Sequence, residues 1–273
     1  MKHIPQEQLT LLEAMQKMAP DSSKTTLRSW LKNGRVFVDN IMVKIGATSV
    51  TPGQVITLGT KPQPDKIKTL YSDRHLVIID KPAGILSVAT NYETTKTAHS
   101  FLKETHKSQK IHPVHRLDRD TSGVMVFALT LEARDGLKDL FETHDIHRQY
   151  HAIVEGHLEN PTGKWKSYLY EDKNYHVHST ENPENAKLAI THYEVIKTTK
   201  KTSHLKLTLE TGRKNQIRVH CQDAGHHVLG DKKYGPGTIP CKRLCLHAHL
   251  LQFTHPITGK KMSFESPVPK HFK

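Results

Sequence analysis

A chain of 273 residues with 36% hydrophobic and 25% charged side chains is long enough to bury a sizeable core. It has no apolar run of about eighteen residues, and Met1-Lys2-His3-Ile4-Pro5-Gln6-Glu7-Gln8 lacks the apolar core of a signal peptide, so membrane attachment is not expected and a cytoplasmic address is. The formal charge of +13 points to a polyanionic partner, nucleic acid first, because each neutralised phosphate releases condensed counterions; the three cysteines, Cys221, Cys241 and Cys245, are odd in number and too few for a disulfide framework.

Leu9, Leu12 and Met15 recur at helical spacing, and Pro20-Asp21-Ser22-Ser23 then supplies a break and a cap for a second helix carrying Leu27, Trp30 and Leu31. Asn33-Gly34 stops that helix. Val36-Phe37-Val38 and Ile41-Met42-Val43 flank Asp39-Asn40 as a tight hairpin, and Thr51-Pro52-Gly53 turns into a further short strand, Val55-Ile56-Thr57-Leu58. Two short helices and a small sheet are predicted for residues 1–60. Pro62 and Pro64, among polar neighbours, make 61–66 a semi-rigid linker to a second domain at 67–273.

From Ile67 onward short strands (76–79, 124–129, 150–154, 204–209) alternate with helix candidates such as 131–143. The pattern predicts an α+β chain whose larger domain is a mixed, mostly antiparallel sheet with flanking helices. Its densest polar stretch is His112-Pro113-Val114-His115-Arg116-Leu117-Asp118-Arg119-Asp120-Thr121-Ser122-Gly123, followed at once by Val124-Met125-Val126-Phe127-Ala128-Leu129. That is a polar loop running into a buried strand, and loops held by a rigid scaffold are where chemistry concentrates. A later stretch repeats the design: Leu207-Thr208-Leu209 alternates, Gly212 turns, and Arg213-Lys214-Asn215-Gln216-Ile217-Arg218-Val219-His220 enters a helix-like run.

Together with Asp80-Lys81-Pro82-Ala83-Gly84, these stretches resemble, in order, three motifs of the RluA-type pseudouridine synthases. The resemblance covers roughly 67–269. Asn33-Gly34-Arg35-Val36-Phe37-Val38-Asp39, with the content of the first 60 residues, resembles the S-four-type RNA-binding domain, although Ser23-Lys24 stands at the common Ser-Arg position. On that resemblance Lys24, Arg28 and Arg35 form an RNA-facing edge.

The resemblance implies isomerisation of uridine to pseudouridine in RNA. This reaction moves the glycosidic bond from nitrogen to carbon 5 with no redox change and no group lost, so no cofactor is implied. It needs a carboxylate beside the sugar and ring, and a dry pocket that keeps the detached base until it re-adds. Asp118 matches the family's catalytic carboxylate, Arg218 the arginine that pairs with it, with a fork able to do so bidentately, and Tyr150 the tyrosine at the flipped base. Whether the carboxylate attacks sugar or ring, or abstracts a proton, stays open. Arg116 matches a residue placed to insert into the RNA, and His115 and Ile217 are further candidates for substrate contact. Arg148 stands where relatives often carry Lys. Large-subunit ribosomal RNA is the favoured substrate of an enzyme expected to be a monomer, with transfer RNA, or a silent RNA-binding assembly factor on the same fold, as alternatives.

Asp120-Thr121-Ser122-Gly123 is not an aspartic-protease loop, because Ser122 interrupts Asp-Thr-Gly and the motif occurs once. A serine hydrolase on Ser122 with His115 lacks the Gly-x-Ser-x-Gly elbow. The 21 histidines include His226-His227 and His247-x-His249, but with no Cys-x-x-Cys pair or His-Glu-x-x-His helix they read as surface or packing residues rather than zinc ligands.

Overall fold

The computed structural model describes residues 1–32, 34–59, 67–90, 93–236 and 241–272, and the chain divides into two compact units, Met1–Lys66 and Ile67–Lys273. The expected linker at 61–66 and the helix stop at Asn33 lie outside the described residues.

In the first unit a helix runs over Leu11–Met18. Thr10 Oγ1 accepts the Glu13 amide at 3.3 Å while Glu13 Oε2 accepts the Thr10 amide at 2.9 Å, a reciprocal cap that fixes where the helix begins. Leu9 therefore lies ahead of the helix that its spacing predicts it to join, and pairs instead with Val50. The second helix, Lys24–Lys32, starts after Ser23, whose Oγ accepts the Thr26 amide at 3.2 Å. Leu11, Ala14, Met15, Leu27 and Leu31 pack with Val36, Val38, Val50 and Ile56. Each large aliphatic side chain buried this way contributes about 1.5–3 kcal/mol. Among the described residues a four-stranded sheet runs in the order Lys2–His3, Ile56–Leu58, Val36–Val38, Ile41–Met42, and Leu9–Thr10 pairs with Ser49–Val50 in a separate two-stranded one. The hairpin between the last two turns at Asp39 (φ 48°) and Asn40 (φ 66°), both left-handed, as a two-residue turn of this hand requires.

The second unit is built on a sheet of eleven strands among the described residues. Its main path runs Val177–Thr180, Thr162–Glu171, Lys187–Thr198, Thr202–Leu209, His147–Glu155, Leu246–Thr254, Ser122–Ala128, Leu76–Lys81, Lys68–Ser72. Period-two alternation sorts side chains to two faces. Val77, Ile79, Met125 and Phe127 join one apolar cluster with Ala98 and Leu102 of the helix Ala98–Thr105; Leu76, Ile78, Val124, Val126 and Ala128 join another with Ala133 and Leu137 of the helix Leu131–Glu142. Both faces being covered, Ser122–Ala128 is buried along its whole length, which is why it reads as a continuous apolar run.

Among the described strands of this sheet one pairing is parallel: Ser122 and Gly123 lie parallel to His247 and Ala248. A Cβ on Gly123, at φ 117°, would sit 2.0 Å from the Ala248 carbonyl oxygen, so only glycine lets the two strands meet there. Beyond that point the strands part, Ser122–Ala128 toward His112–Pro113 and Leu246–Thr254 toward Lys261–Glu265. The loop carrying Asp118 enters the sheet at this fork.

Several histidines are packing residues. His220 is 2% exposed, with Nδ1 2.9 Å from Thr191 Oγ1 and Nε2 3.1 Å from Ser167 Oγ, and burial pushes its pKa down to about 4. His151, 2.9 Å from His204 Nε2, is likewise brought to about 4 by burial and then by His249, His204, His247 and Lys206. Values below the unfolded 6.5 mean that the unfolded chain binds more protons, so this stability is complete above about pH 6.5 and is lost as pH falls toward 4. For His220 the loss is on the order of 3 kcal/mol. Urea unfolding between pH 7.5 and 4.5 should show falling stability, with a shallower fall in His220→Gln; equal slopes would contradict this account. Among the described residues no group of three or more His, Cys, Asp or Glu is placed to hold a metal ion, and no helix is long and apolar enough to cross a membrane.

Candidate active site

The loop bearing Asp118 is fastened from below by a lysine. Lys81 ends the strand Leu76–Lys81 with no exposed surface, and its Nζ donates to the carbonyls of Pro82 (3.1 Å), Ile85 (2.9 Å) and Arg119 (3.1 Å). Burial pulls its pKa down to about 7 against the attraction of Asp118 and Asp120, and three acceptors around one nitrogen match three ammonium protons. The Gly84 amide donates to the Arg119 carbonyl at 2.9 Å, and Ser87 Oγ both donates to the Leu117 carbonyl (2.7 Å) and accepts the Leu117 amide (2.9 Å). Asp118 thus lies between two residues whose backbones are pinned to the 82–87 loop.

Its carboxylate meets the second motif. Asn215 Nδ2 donates to Asp118 Oδ2 at 2.6 Å and Arg218 Nη1 donates to the same oxygen at 3.0 Å; among the described residues Oδ1 accepts nothing. Asn215, left-handed at φ 56°, precedes the helix Gln216–Asp223, and Gln216 anchors the turn. Its Oε1 accepts from Thr211 Oγ1 and the Arg213 amide, and its Nε2 donates to the Ile190 carbonyl and Thr191 Oγ1.

The bidentate pairing expected between Arg218 and Asp118 is found elsewhere. Nε and Nη2 of Arg218 each reach one oxygen of Asp231 at 2.7 Å, which leaves Nη1 alone for Asp118. Burial opposes the charge on Arg218, and the hydrogen bonds and charges of Asp231 and Asp118 outweigh it, raising the pKa. Burial also works to raise Asp231, and Arg218 with the Tyr234 and Lys233 amides more than offsets it, holding the carboxyl below its ordinary value. Tyr234 lies under the guanidinium, ring centre 4.8 Å from Cζ, and its hydroxyl donates to Asn215 Oδ1 at 3.1 Å. The result is a rigid cation holding one oxygen of a carboxylate and leaving the other open.

A family profile described as RNA pseudouridylate synthase matches residues 75–223, which span all three motifs. The ribosomal large subunit pseudouridine synthase D of Neisseria meningitidis serogroup B is 32% identical over 93% of this chain and 74% of its own length. The dual-specificity RNA pseudouridine synthase RluA of Haemophilus influenzae is 39% identical over 72% of this chain and 91% of its own. The chain belongs to the RluA-type RNA pseudouridine synthases, which are isomerases. The human RNA pseudouridylate synthase domain containing 4 shares the fold, with a TM-score of 0.62 at 25% identity over 75% of this chain and 89% of that one.

In the synthase, Tyr150 is 9% exposed and packs in the same apolar cluster as Leu117 and Ile217. Burial raises its pKa, Arg148 opposes this and the Asp118 charge adds to it, so the phenol stays neutral. Arg116 is exposed. His115, expected to touch substrate, is half-buried: Nε2 accepts the Val126 amide at 3.0 Å, the ring stacks on Phe141 at 4.8 Å, and burial, with the Arg148 charge, takes its pKa down to about 3. A ring so committed braces the loop. Ile217 is 4% exposed and belongs to the core rather than the surface. Arg148 donates from Nη2 to the Glu210 carbonyl at 3.1 Å and lies over Phe141.

In the first unit Lys24 and Arg28 are exposed, while Arg35 is tied through Nε and Nη2 to the Gly59 carbonyl at 3.3 and 3.2 Å and stacked on Trp30. Arg28, Lys32 and Lys44 rim an open groove of about 740 Å³.

Lys81 and Asn215 lie within the quoted motifs but the sequence assigns them no role, and Asp231 and Tyr234 lie outside those motifs. Lys81 carried one signal, a lysine closing the apolar run Leu76-Val77-Ile78-Ile79 just before Pro82. Asp231 carried none, since an Asp after Gly230 reads as a turn.

Proposed function

We propose that the synthase isomerises uridine to pseudouridine in large-subunit ribosomal RNA, with Asp118 as the carboxylate that acts on the target nucleoside. The observation that carries this reading is the asymmetry of Asp118: Oδ2 takes both hydrogen bonds, from Asn215 and Arg218, while among the described residues Oδ1 accepts none. A preorganised carboxylate beside a fixed cation suits attack on, or proton abstraction from, a nucleoside held in a water-poor pocket. The bond from C1′ to N1 breaks and one from C1′ to C5 forms; the C5 hydrogen leaves and N1 gains one. Tyr150, neutral and within the electrostatic reach of Asp118, is proposed to offer a face for the detached uracil. The ribosomal target rests on the name of the Neisseria relative, whose similarity spans 93% of this chain.

Transcribed ribosomal RNA carrying tritium at uridine C5 tests the reading. Label should appear in water, and carbodiimide-blocked reverse transcription should mark the same uridine only when protein is added. Binding without release would instead favour a silent RNA-binding assembly factor.

The target base must leave its stack before Asp118 reaches it, at a cost of a few kcal/mol. Arg116, exposed and two residues ahead of Asp118, is proposed to fill the vacated space with its planar cation. Arg116→Ala should then slow single turnover on a structured stem-loop about tenfold more than on a flexible single strand, where unstacking costs less. Equal losses on both RNAs would reduce Arg116 to a phosphate contact.

Lys24 and Arg28 are proposed as phosphate contacts of the first unit. Converting both to Gln should make the salt dependence of binding shallower by about 2. Arg35→Gln should leave that slope alone, because its guanidinium serves Gly59 and Trp30.

A further inference from the structure

Two of the three cysteines lie together in the turn that leads into the strand Leu246–Thr254. Cys241 Sγ and Cys245 Sγ are 3.2 Å apart, and Cys241 Sγ donates to the Arg243 carbonyl at 3.1 Å. Cys241 is half-buried, Cys245 is 1% exposed and Cys221 is fully buried. The same turn touches both walls of the candidate centre. Arg243 Nη2 donates to Ser122 Oγ at 2.7 Å, four residues after Asp118. On the other side Gly230, at φ 73°, allows the Arg243 carbonyl in so closely that a Cβ there would lie 2.1 Å from its oxygen, and the next residue is Asp231, which grips Arg218.

We propose that Cys241 and Cys245 are a reversible redox site: a low-molecular-weight disulfide oxidises them to an intramolecular disulfide, and closing it slows the enzyme. The Cys241 thiolate attacks one sulfur of the small disulfide, giving a mixed disulfide and releasing one small thiol. The Cys245 sulfur then attacks the Cys241 sulfur, loses its proton and expels the second small thiol. Two protein thiols are oxidised and one small disulfide is reduced to two thiols, so electrons and protons balance. Attack by Cys241 first follows from exposure. Burial, then the hydrogen bond and charge of Cys241, push the Cys245 pKa up to about 12 against Arg243, so Cys245 stays a thiol and acts second. The sulfurs must close by about 1 Å to bond. That movement removes the thiol donor from the Arg243 carbonyl and shifts the turn against Gly230 and Ser122, hence the two loops that hold Asp118. The effect on rate rests on the function proposed above; the disulfide itself does not.

The full-length protein is incubated with oxidised glutathione, its free thiols are alkylated, and it is weighed and peptide-mapped. The expected result is loss of two hydrogens, a Cys241–Cys245 linkage reversed by dithiothreitol, and none in Cys241→Ser or Cys245→Ser, with Cys221 alkylated only in denaturant. A persistent glutathione adduct, a linkage through Cys221, or free thiols at every oxidant level would overturn the site. Oxidation should also slow tritium release by wild type by up to about 10²-fold, the scale of a misplacement near 1 Å, and leave Cys241→Ser unchanged. Equal rates for oxidised and reduced wild type would overturn the coupling to the centre. Absence of turnover even in the reduced protein would count against the proposed function and, with it, the coupling, while the mass measurement still decides the disulfide.

Discussion

Asp118→Asn protein is expected to release tritium from uridine-labelled RNA at least about 10³-fold more slowly than wild type, the scale on which a general base or nucleophile acts. An amide oxygen in the place of Oδ2 accepts the Asn215 and Arg218 bonds as before, but an amide neither attacks nor abstracts a proton. The substitution also leaves no buried cation unpaired, because Arg218 keeps both of its bonds to Asp231. Urea midpoint and RNA affinity should therefore stay close to those of the wild type, so lost turnover cannot be ascribed to misfolding. Release by the pure variant at a wild-type rate would remove Asp118 from the chemistry.

Lys81→Met should be the most damaging single change to stability, by about 3–5 kcal/mol in urea unfolding, the range seen when one partner of a buried charged cluster is deleted. Methionine fills the space of the lysine stem, so little of the loss is cavity. What disappears is the ammonium shared by the Pro82, Ile85 and Arg119 carbonyls, and the buried positive charge near Asp118 and Asp120. The first two carbonyls belong to one loop and the third to another, so the loops should separate and turnover should fall with stability. A variant as stable as wild type would show that the Gly84–Arg119 and Ser87–Leu117 bonds suffice to hold them.

The sequence carried the parts of this arrangement that are local. Alternation marked 204–209, unbroken apolarity marked 76–79 and 124–129, and Asp39-Asn40 marked its hairpin, because each depends on neighbours within a few residues. The strands Thr162–Glu171 and Lys187–Thr198 were harder to see. They hold Lys, His, Tyr and Glu on exposed faces and bury few large apolar groups, so their signal is a weak alternation. The motifs named Asp118 and Arg218, and the structure brings the two together, yet the same motifs misdirected the arginine's fork. The partner that takes it, Asp231, lies 13 residues downstream in a stretch that looks like any turn. The contacts of His115 were hidden for a similar reason: nothing in the loop announces that Phe141 and the Val126 amide will claim its ring.

The parallel junction at Gly123 and Ala248 bears on the order in which the protein is made. Ser122 and His247, bonded at 2.8 Å, are 125 residues apart in the chain, and Asp118 and Arg218 are 100 apart. Contacts of such separation close late, after the hairpins between neighbouring strands have formed. On the ribosome, the strand that fixes the far end of the Asp118 loop emerges only after residue 246 has been synthesised, so a nascent chain holds its three motifs long before it can align them. Assembly of the centre therefore waits until synthesis has passed residue 246, and a shorter nascent copy sitting beside RNA has its carboxylate unplaced.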